Sequence, residues 1–165
     1  MIDVETTIDP RWDGKTDWDA LAGHAVMAAV TVARPDLAES DGTLEVSVKF
    51  ADDEEAAGLN KAYRGKDGPT NVLSFPMWQG EALAGLGGRD DLLGDIVLAA
   101  GVCAREAAER GIAVADHARH LVVHGTLHLL GHDHADNDEA THMEALEVSA
   151  LRDLGVADPY LVTES

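Results

Sequence analysis

The chain has 165 residues with aromatics at only 4%, long enough for one domain whose core must come mostly from Leu, Val, Ile and Ala. Its formal charge of −19, from 31 acids against 12 Lys and Arg, argues against a broad nucleic-acid-coating surface and reads as a solvated acidic shell. The single cysteine, Cys103, excludes an intramolecular disulfide, and neither a signal-peptide core nor a membrane-length apolar run is found, so a soluble cytoplasmic protein without membrane partners is expected.

Ile2 to Ile8 suggests a first strand. Thr43 to Phe50 alternates, with Leu44, Val46, Val48 and Phe50 on one face and Glu45, Ser47 and Lys49 on the other, which predicts a half-buried strand. Asp52 followed by Glu55 is spaced as a helix cap, and Ala56, Leu59 and Tyr63 continue at helical spacing. A turn through Gly65 to Pro69 leads to a strand over Asn71 to Phe75, stopped by Pro76. Gly80 to Asp91 reads as a surface loop and Asp95 to Ala99 as another strand. Helices are expected over Ala100 to Arg110, Asp116 to Leu130 and Asp136 to Leu154. The last opens on the capping pair Asp136 and Glu139, and carries Met143, Leu146, Ala150, Leu151 and Leu154 along one stripe. Strands early and helices late predict an α+β fold: one domain over residues 1–165, with a small mixed sheet of about four strands packed on several helices.

The helix over Asp116 to Leu130 is apolar almost all round, through Leu121, Val122, Val123, Leu127, Leu129 and Leu130, and so should be buried. At about 100° per residue, His117, His120, His124 and His128 nevertheless share one stripe of it. Buried imidazoles need partners for their nitrogens, and a metal supplies one. His124 and His128 sit one turn apart, Gly131 can end the helix in the left-handed conformation, and the chain can return His134 to the same point. Three imidazoles with an open fourth position are what a catalytic zinc uses to lower the pKa of a water to about 7. A closed structural site would need a fourth ligand, for which His132, Asp133, His120 and Cys103 are the candidates. Gly125, beside the stripe, removes a side chain where a ligand could approach closely.

The histidine spacing is similar to that of zinc proteases, but Gly125 stands where their glutamate base would be, which demotes peptide hydrolysis. Lys61, Arg64 and Lys66 form a local basic concentration, and a guanidinium can hold a phosphate through two parallel hydrogen bonds. Asp95 and Asp133 are carboxylates that could accept the second N–H of a ligating imidazole or shape the turn before His134. His24, His117, His120 and His142 read as structural or exposed, and Cys103 as a small core residue.

The run from His124 to His134, HGTLHLLGHDH, resembles the signature of the YbeY family, bacterial single-strand-specific endoribonucleases of ribosomal RNA maturation. The segment from Asn60 to Pro76 is similar to that family's second signature and Leu93 to Val97 to its third, in the family's order, covering roughly residues 43–154 and leaving 1–18 as an extension outside the strong resemblance. The resemblance implies His124, His128 and His134 as metal ligands and Arg64 as a basic residue important for activity. It also implies one Zn2+ per chain, action in 16S rRNA 3′-end maturation and ribosome quality control, and association with the small ribosomal subunit and its proteins, with no DNA substrate. His132 replaces the family's usual Tyr or Phe and adds a competing imidazole beside the third ligand.

The expected activity is therefore that of a metal-dependent endoribonuclease, a hydrolase of phosphodiester bonds in which the metal polarises a phosphate oxygen or generates hydroxide. Arg64 would neutralise developing charge, with Lys61 and Lys66 as further phosphate contacts. No general base is evident, so the RNA 2′-hydroxyl is an equal candidate for nucleophile. The alternatives are a non-catalytic ribosome assembly factor with structural zinc, and another zinc hydrolase of peptidase type.

Overall fold

Parallel strands need a connection long enough to return to the same end of the sheet, and the chain supplies one between its first two strands. The computed structural model describes residues 1–160. In it β1 (Ile2–Ile8) is followed by α1 (Trp18–Ala33) and the short α2 (Pro35–Ala38) before β2 (Leu44–Ala51), which pairs with β1 in parallel with Ile2 opposite Leu44. The helix α3 (Asp53–Arg64) leads to β3 (Val72–Pro76), and the single-turn α4 (Glu81–Ala84) to β4 (Asp91–Ala99). Three helices complete the described chain: α5 (Ala100–Arg110), α6 (Val114–Leu129) and α7 (Asn137–Asp153). The sheet order is β1-β2-β4-β3, parallel except for β3, which runs antiparallel to β4 along the edge. This is the α+β domain with a small mixed sheet that the pattern predicts.

The alternation in β2 does what it implies. Leu44, Val46, Val48 and Phe50 are buried under the helices, while Glu45, Ser47 and Lys49 stay partly exposed. The caps also hold: the Asp52 carboxylate accepts from the Glu55 N–H at the start of α3, and that of Asp136 from Glu139 at the start of α7.

Two expectations need correction. Helix α1 inserts a strand–helix–strand order ahead of the expected late run of helices. Its buried residues Leu21, Ala22, Ala25, Val26, Ala29 and Val30 do repeat at helical spacing, but the partly buried Ala20, Ala28 and Val32 and the exposed Met27 flatten the contrast that a pattern reading needs. The segment Gly80 to Asp91 is more than a surface loop, since it contains α4, buries Leu83 and Leu86, and gives its last residue to β4, which starts at Asp91 rather than Asp95. The Leu83 carbonyl accepts from the Arg34 guanidinium at 3.0 Å, which fastens that segment to the end of α1.

Residues ahead of α1 are tied into the body. Trp12 and Trp18 pack edge-on at 4.9 Å, Trp12 meets Phe50 at 5.0 Å, and the Trp12 indole donates to the Ala51 carbonyl. Helix α6 packs on β3 and β4 and against both α1, which itself reaches β1, and α7, and it is buried on nearly every side as its composition requires. Gly125 is the point at which it approaches the sheet. A Cβ there would lie 2.9 Å from Ile96 Cγ2 and 3.1 Å from Ser74 Oγ, so the missing side chain permits helix–sheet contact and does not face the histidine stripe. The Ser74 hydroxyl donates to the Gly125 carbonyl at 3.2 Å across the same contact. Among the described residues no helix is long and apolar enough to cross a membrane.

Candidate metal centre

The last turn of α6 is built to return the chain on itself. The Gly131 N–H donates to the His128 carbonyl and the His132 N–H to the Leu127 carbonyl, each at 3.0 Å, the paired bonds of a Schellman end. Gly131 takes the positive φ this demands, +94°, where a side chain would be strained and would also meet Leu83. His134 is thereby carried back toward the helix end, with the Asp133 carboxylate accepting from the His134 N–H at 2.8 Å to shape the turn.

His124, His128 and His134 each offer a ring nitrogen within 4.8 Å of the others. The Nε2 atoms of His124 and His128 are 3.0 Å apart. Burial, and then the neighbouring charges of His124 and His134, push the His128 pKa down to about 4, so its ring is neutral near pH 7 with a lone pair to share. Two imidazole nitrogens facing each other at that distance, joined by a third, fit a cation of the nitrogen-binding kind, zinc among them. His132 is not in this set: its ring packs 5.4 Å from His142, and burial followed by the charge of His142 lowers its pKa. Cys103 is fully buried in the core, its thiol pushed up to about 12 by burial and then by the charges of Glu106 and Asp53. Another set of acids, Asp3, Glu5 and Glu45, lies close together at the sheet surface, where the Glu5 carboxylate raises the pKa of Glu45.

The residue that the sequence reading missed is Glu147. It projects from α7, is 1% exposed, and its Oε1 accepts from His124 Nδ1 at 2.5 Å, while the Tyr160 hydroxyl donates to its Oε2. Burial pushes this carboxyl up, but the facing groups of His120, His124 and Tyr160 together outweigh it and hold the pKa at about 2, so the group is ionised. A signal was present in the sequence. Met143, Glu147, Ala150, Leu151 and Leu154 recur in phase with one helical face, so a glutamate falls in the buried stripe.

Asp95, by contrast, does not approach the histidines. Ile96 and Ser74 face Gly125 on α6, so the alternation of the strand turns Asp95 to the other face, where it lines a groove with Glu5, Ser47, Lys49, Tyr63 and Phe75. His117 is a buried neighbour of Glu106, its Nε2 2.9 Å from Oε1.

Arg64 and the three histidines line one cleft of about 700 Å3, walled also by Asn71, Ser74, Trp78 and Gln79. Arg64 reaches it from the end of α3, which Gly65 closes in the left-handed conformation. The loop that follows is held by buried Asn60, whose side-chain amide donates to the Gly68 carbonyl at 2.9 Å. Lys61 and Lys66 are exposed at the same end of α3 and in that loop, outside the cleft lining.

The family model described as Endoribonuclease YbeY matches residues 13–155. The chain belongs to the YbeY family. It is 53% identical to the Endoribonuclease YbeY of Rhizorhabdus wittichii over 168 residues, covering 99% of each chain. It is 51% identical to that of Sphingopyxis alaskensis, covering 97% of this chain and 98% of the relative. A solution structure of a Thermotoga maritima protein superposes with a TM-score of 0.55 at 20% identity, over 98% of this chain and 100% of that one, and so shares the fold. The matched range contains the residues that line the cleft.

Proposed function

We propose that this chain is a metal-dependent endoribonuclease that cleaves single-stranded RNA in ribosomal RNA processing, at the 3′ end of 16S rRNA, and in ribosome quality control. The observation that carries the reading is that Arg64 and the His124, His128, His134 triad open into the same cleft although α3 and α6 are far apart in sequence. The triad is the ligand set, and zinc is the metal that its all-imidazole chemistry suits. Held there, a divalent metal supplies charge stabilisation for phosphoryl oxygens and acidifies water.

The chain's own residues do the rest. Arg64 presents a permanently charged planar fork that can hold two non-bridging phosphate oxygens and offset charge that builds during displacement at phosphorus. Lys61 and Lys66 extend positive charge along the route a strand takes into the cleft. Asp133 fixes the turn that presents His134. With a charge of −19 over the chain, this local basic patch and a ribosomal surface, rather than bulk attraction, bring the substrate. The small ribosomal subunit with its proteins is the partner, and the cytoplasm the place of action.

The test is cleavage of a precursor ribosomal RNA by the wild-type, His124→Ala and Arg64→Ala proteins, with metal content measured on the same samples. Wild type cleaves; His124→Ala loses metal and activity together; Arg64→Ala keeps its metal and loses about 10²–10³ in rate. Full activity in either variant overturns the reading.

A further inference from the structure

We infer that Glu147 and Tyr160 are a positioning pair that locks His124 as its Nδ1–H tautomer and aims the bare Nε2 at the point shared with His128 and His134. The inference rests on the metal-binding reading of that triad. Glu147 sits in the apolar stripe of α7, 1% exposed, with no Lys or Arg among its hydrogen-bond or ion-pair partners in the described residues. A buried carboxylate balanced only by imidazoles and a phenol is a poor choice for stability alone, because taking a carboxylate out of water is unfavourable. Its hydrogen bonds show what it does instead.

Glu147 Oε2 is taken by the Tyr160 hydroxyl, which leaves Oε1 to accept from the ring that faces it. With Oε1 at 2.5 Å from His124 Nδ1, the proton on that ring must be on Nδ1. In the singly protonated ring this leaves Nε2, 3.0 Å from His128 Nε2, as the nitrogen whose lone pair can reach a metal. Without the carboxylate, the ring is free to carry its proton on Nε2 and to rotate, and both changes remove it from the ligand set.

Tyr160 completes the arrangement from beyond α7. Its hydroxyl donates to Glu147 Oε2, leaving Oε1 for His124, while its ring stands edge-on to His120 at 5.7 Å. The segment that carries it is fastened to α5, since Arg110 donates to the Pro159 carbonyl at 3.1 Å. His120 Nε2 lies 3.6 Å from Glu147 Oε1, a looser contact that does not displace the His124 bond. A residue far along the chain from the histidines thereby holds the geometry of one of them.

The experiment uses the full chain and two readouts. Long-range proton–nitrogen NMR of the metal-free protein reports the His124 tautomer, and competition against a chromophoric chelator reports zinc affinity. Wild type is expected to show His124 as Nδ1–H. Glu147→Gln, an isosteric change, is expected to give a mixed tautomer and zinc binding weaker by about 10–100-fold, with thermal stability of the metal-free protein unchanged or raised because a buried charge is gone. Tyr160→Phe is expected to weaken zinc binding several-fold in the same direction, and it supplies the test if Glu147→Gln does not fold. A Glu147→Gln or Tyr160→Phe protein with the wild-type tautomer and wild-type zinc affinity overturns the inference, as does one that merely loses stability. Wild-type protein that binds no zinc sinks the metal reading of the triad, and the tautomer measurement then decides the positioning pair by itself.

Discussion

Gly125 and Gly58 both lie inside helices, yet replacing each by alanine should change stability in opposite directions. At Gly58, on the exposed side of α3, nothing lies within 4 Å of a new Cβ, so Gly58→Ala gains only the helix preference of alanine, about 0.8–1 kcal/mol. At Gly125 the same gain meets Ile96 Cγ2 at 2.9 Å, Ser74 Oγ at 3.1 Å and Ile96 Cγ1 at 3.3 Å, all inside the roughly 3.5–4.0 Å of a relaxed contact. Ile96 is fully buried in a central strand and cannot swing away, so α6 must lift off the sheet. Overpacking of this kind costs about 1–3 kcal/mol. Set against the propensity gain, Gly125→Ala should lose about 1 kcal/mol where Gly58→Ala gains about the same. Urea unfolding of the three proteins, with equal m values, measures the difference directly. If Gly125→Ala is as stabilising as Gly58→Ala, the close contact of α6 with Ile96 is refuted, and with it the account of why glycine stands beside the histidine.

Other outcomes follow from the same structure. Cys103 should resist iodoacetamide at pH 8 in the native protein and react on unfolding, because burial raises its thiol to about 12; rapid native alkylation would contradict its burial. Asp136→Ala should cost about 0.5–2 kcal/mol by removing the acceptor for the Glu139 N–H, read as a shift in the denaturation midpoint. Burial holds His117 below the usual histidine pKa, so between the two values the unfolded chain binds the proton that the folded one refuses. Its contribution to stability is complete above about pH 6.5 and declines as the pH falls through that window, and His117→Gln should flatten the acid limb of stability against pH. Affinity for a short unstructured RNA at physiological salt should be weak, given the −19 charge; tight sequence-independent binding in a filter or anisotropy assay would contradict the acidic-shell reading.

Much of this protein was open to reading in its sequence because the relevant physics is local. The four-residue step from His124 to His128 and the glycine at Gly131 determine a ring pair and a chain reversal by helix geometry alone, and the third histidine then falls within reach. The alternation of Leu44 to Phe50 and the carboxylate caps at Asp52 and Asp136 are likewise matters of a few neighbouring residues. What lies opposite a side chain is a different kind of fact, set by how elements remote in sequence pack. Asp95 sits in one of the three motifs but on the far face of the sheet, because strand alternation and the docking of α6 on Ile96 turn it away. Glu147 is in phase with an apolar stripe, which marks it as buried, but only the packing of α7 against α6 brings its carboxylate to His124, and only the fold of the segment after α7 brings Tyr160 to that carboxylate. Arg64 reaches the histidines only because β3 and the helix end before it close over the same cleft. The sequence by itself determined which residues could ligate a metal; the tertiary structure decided which groups hold and face them, since orientation across a core depends on contacts that no local spacing encodes.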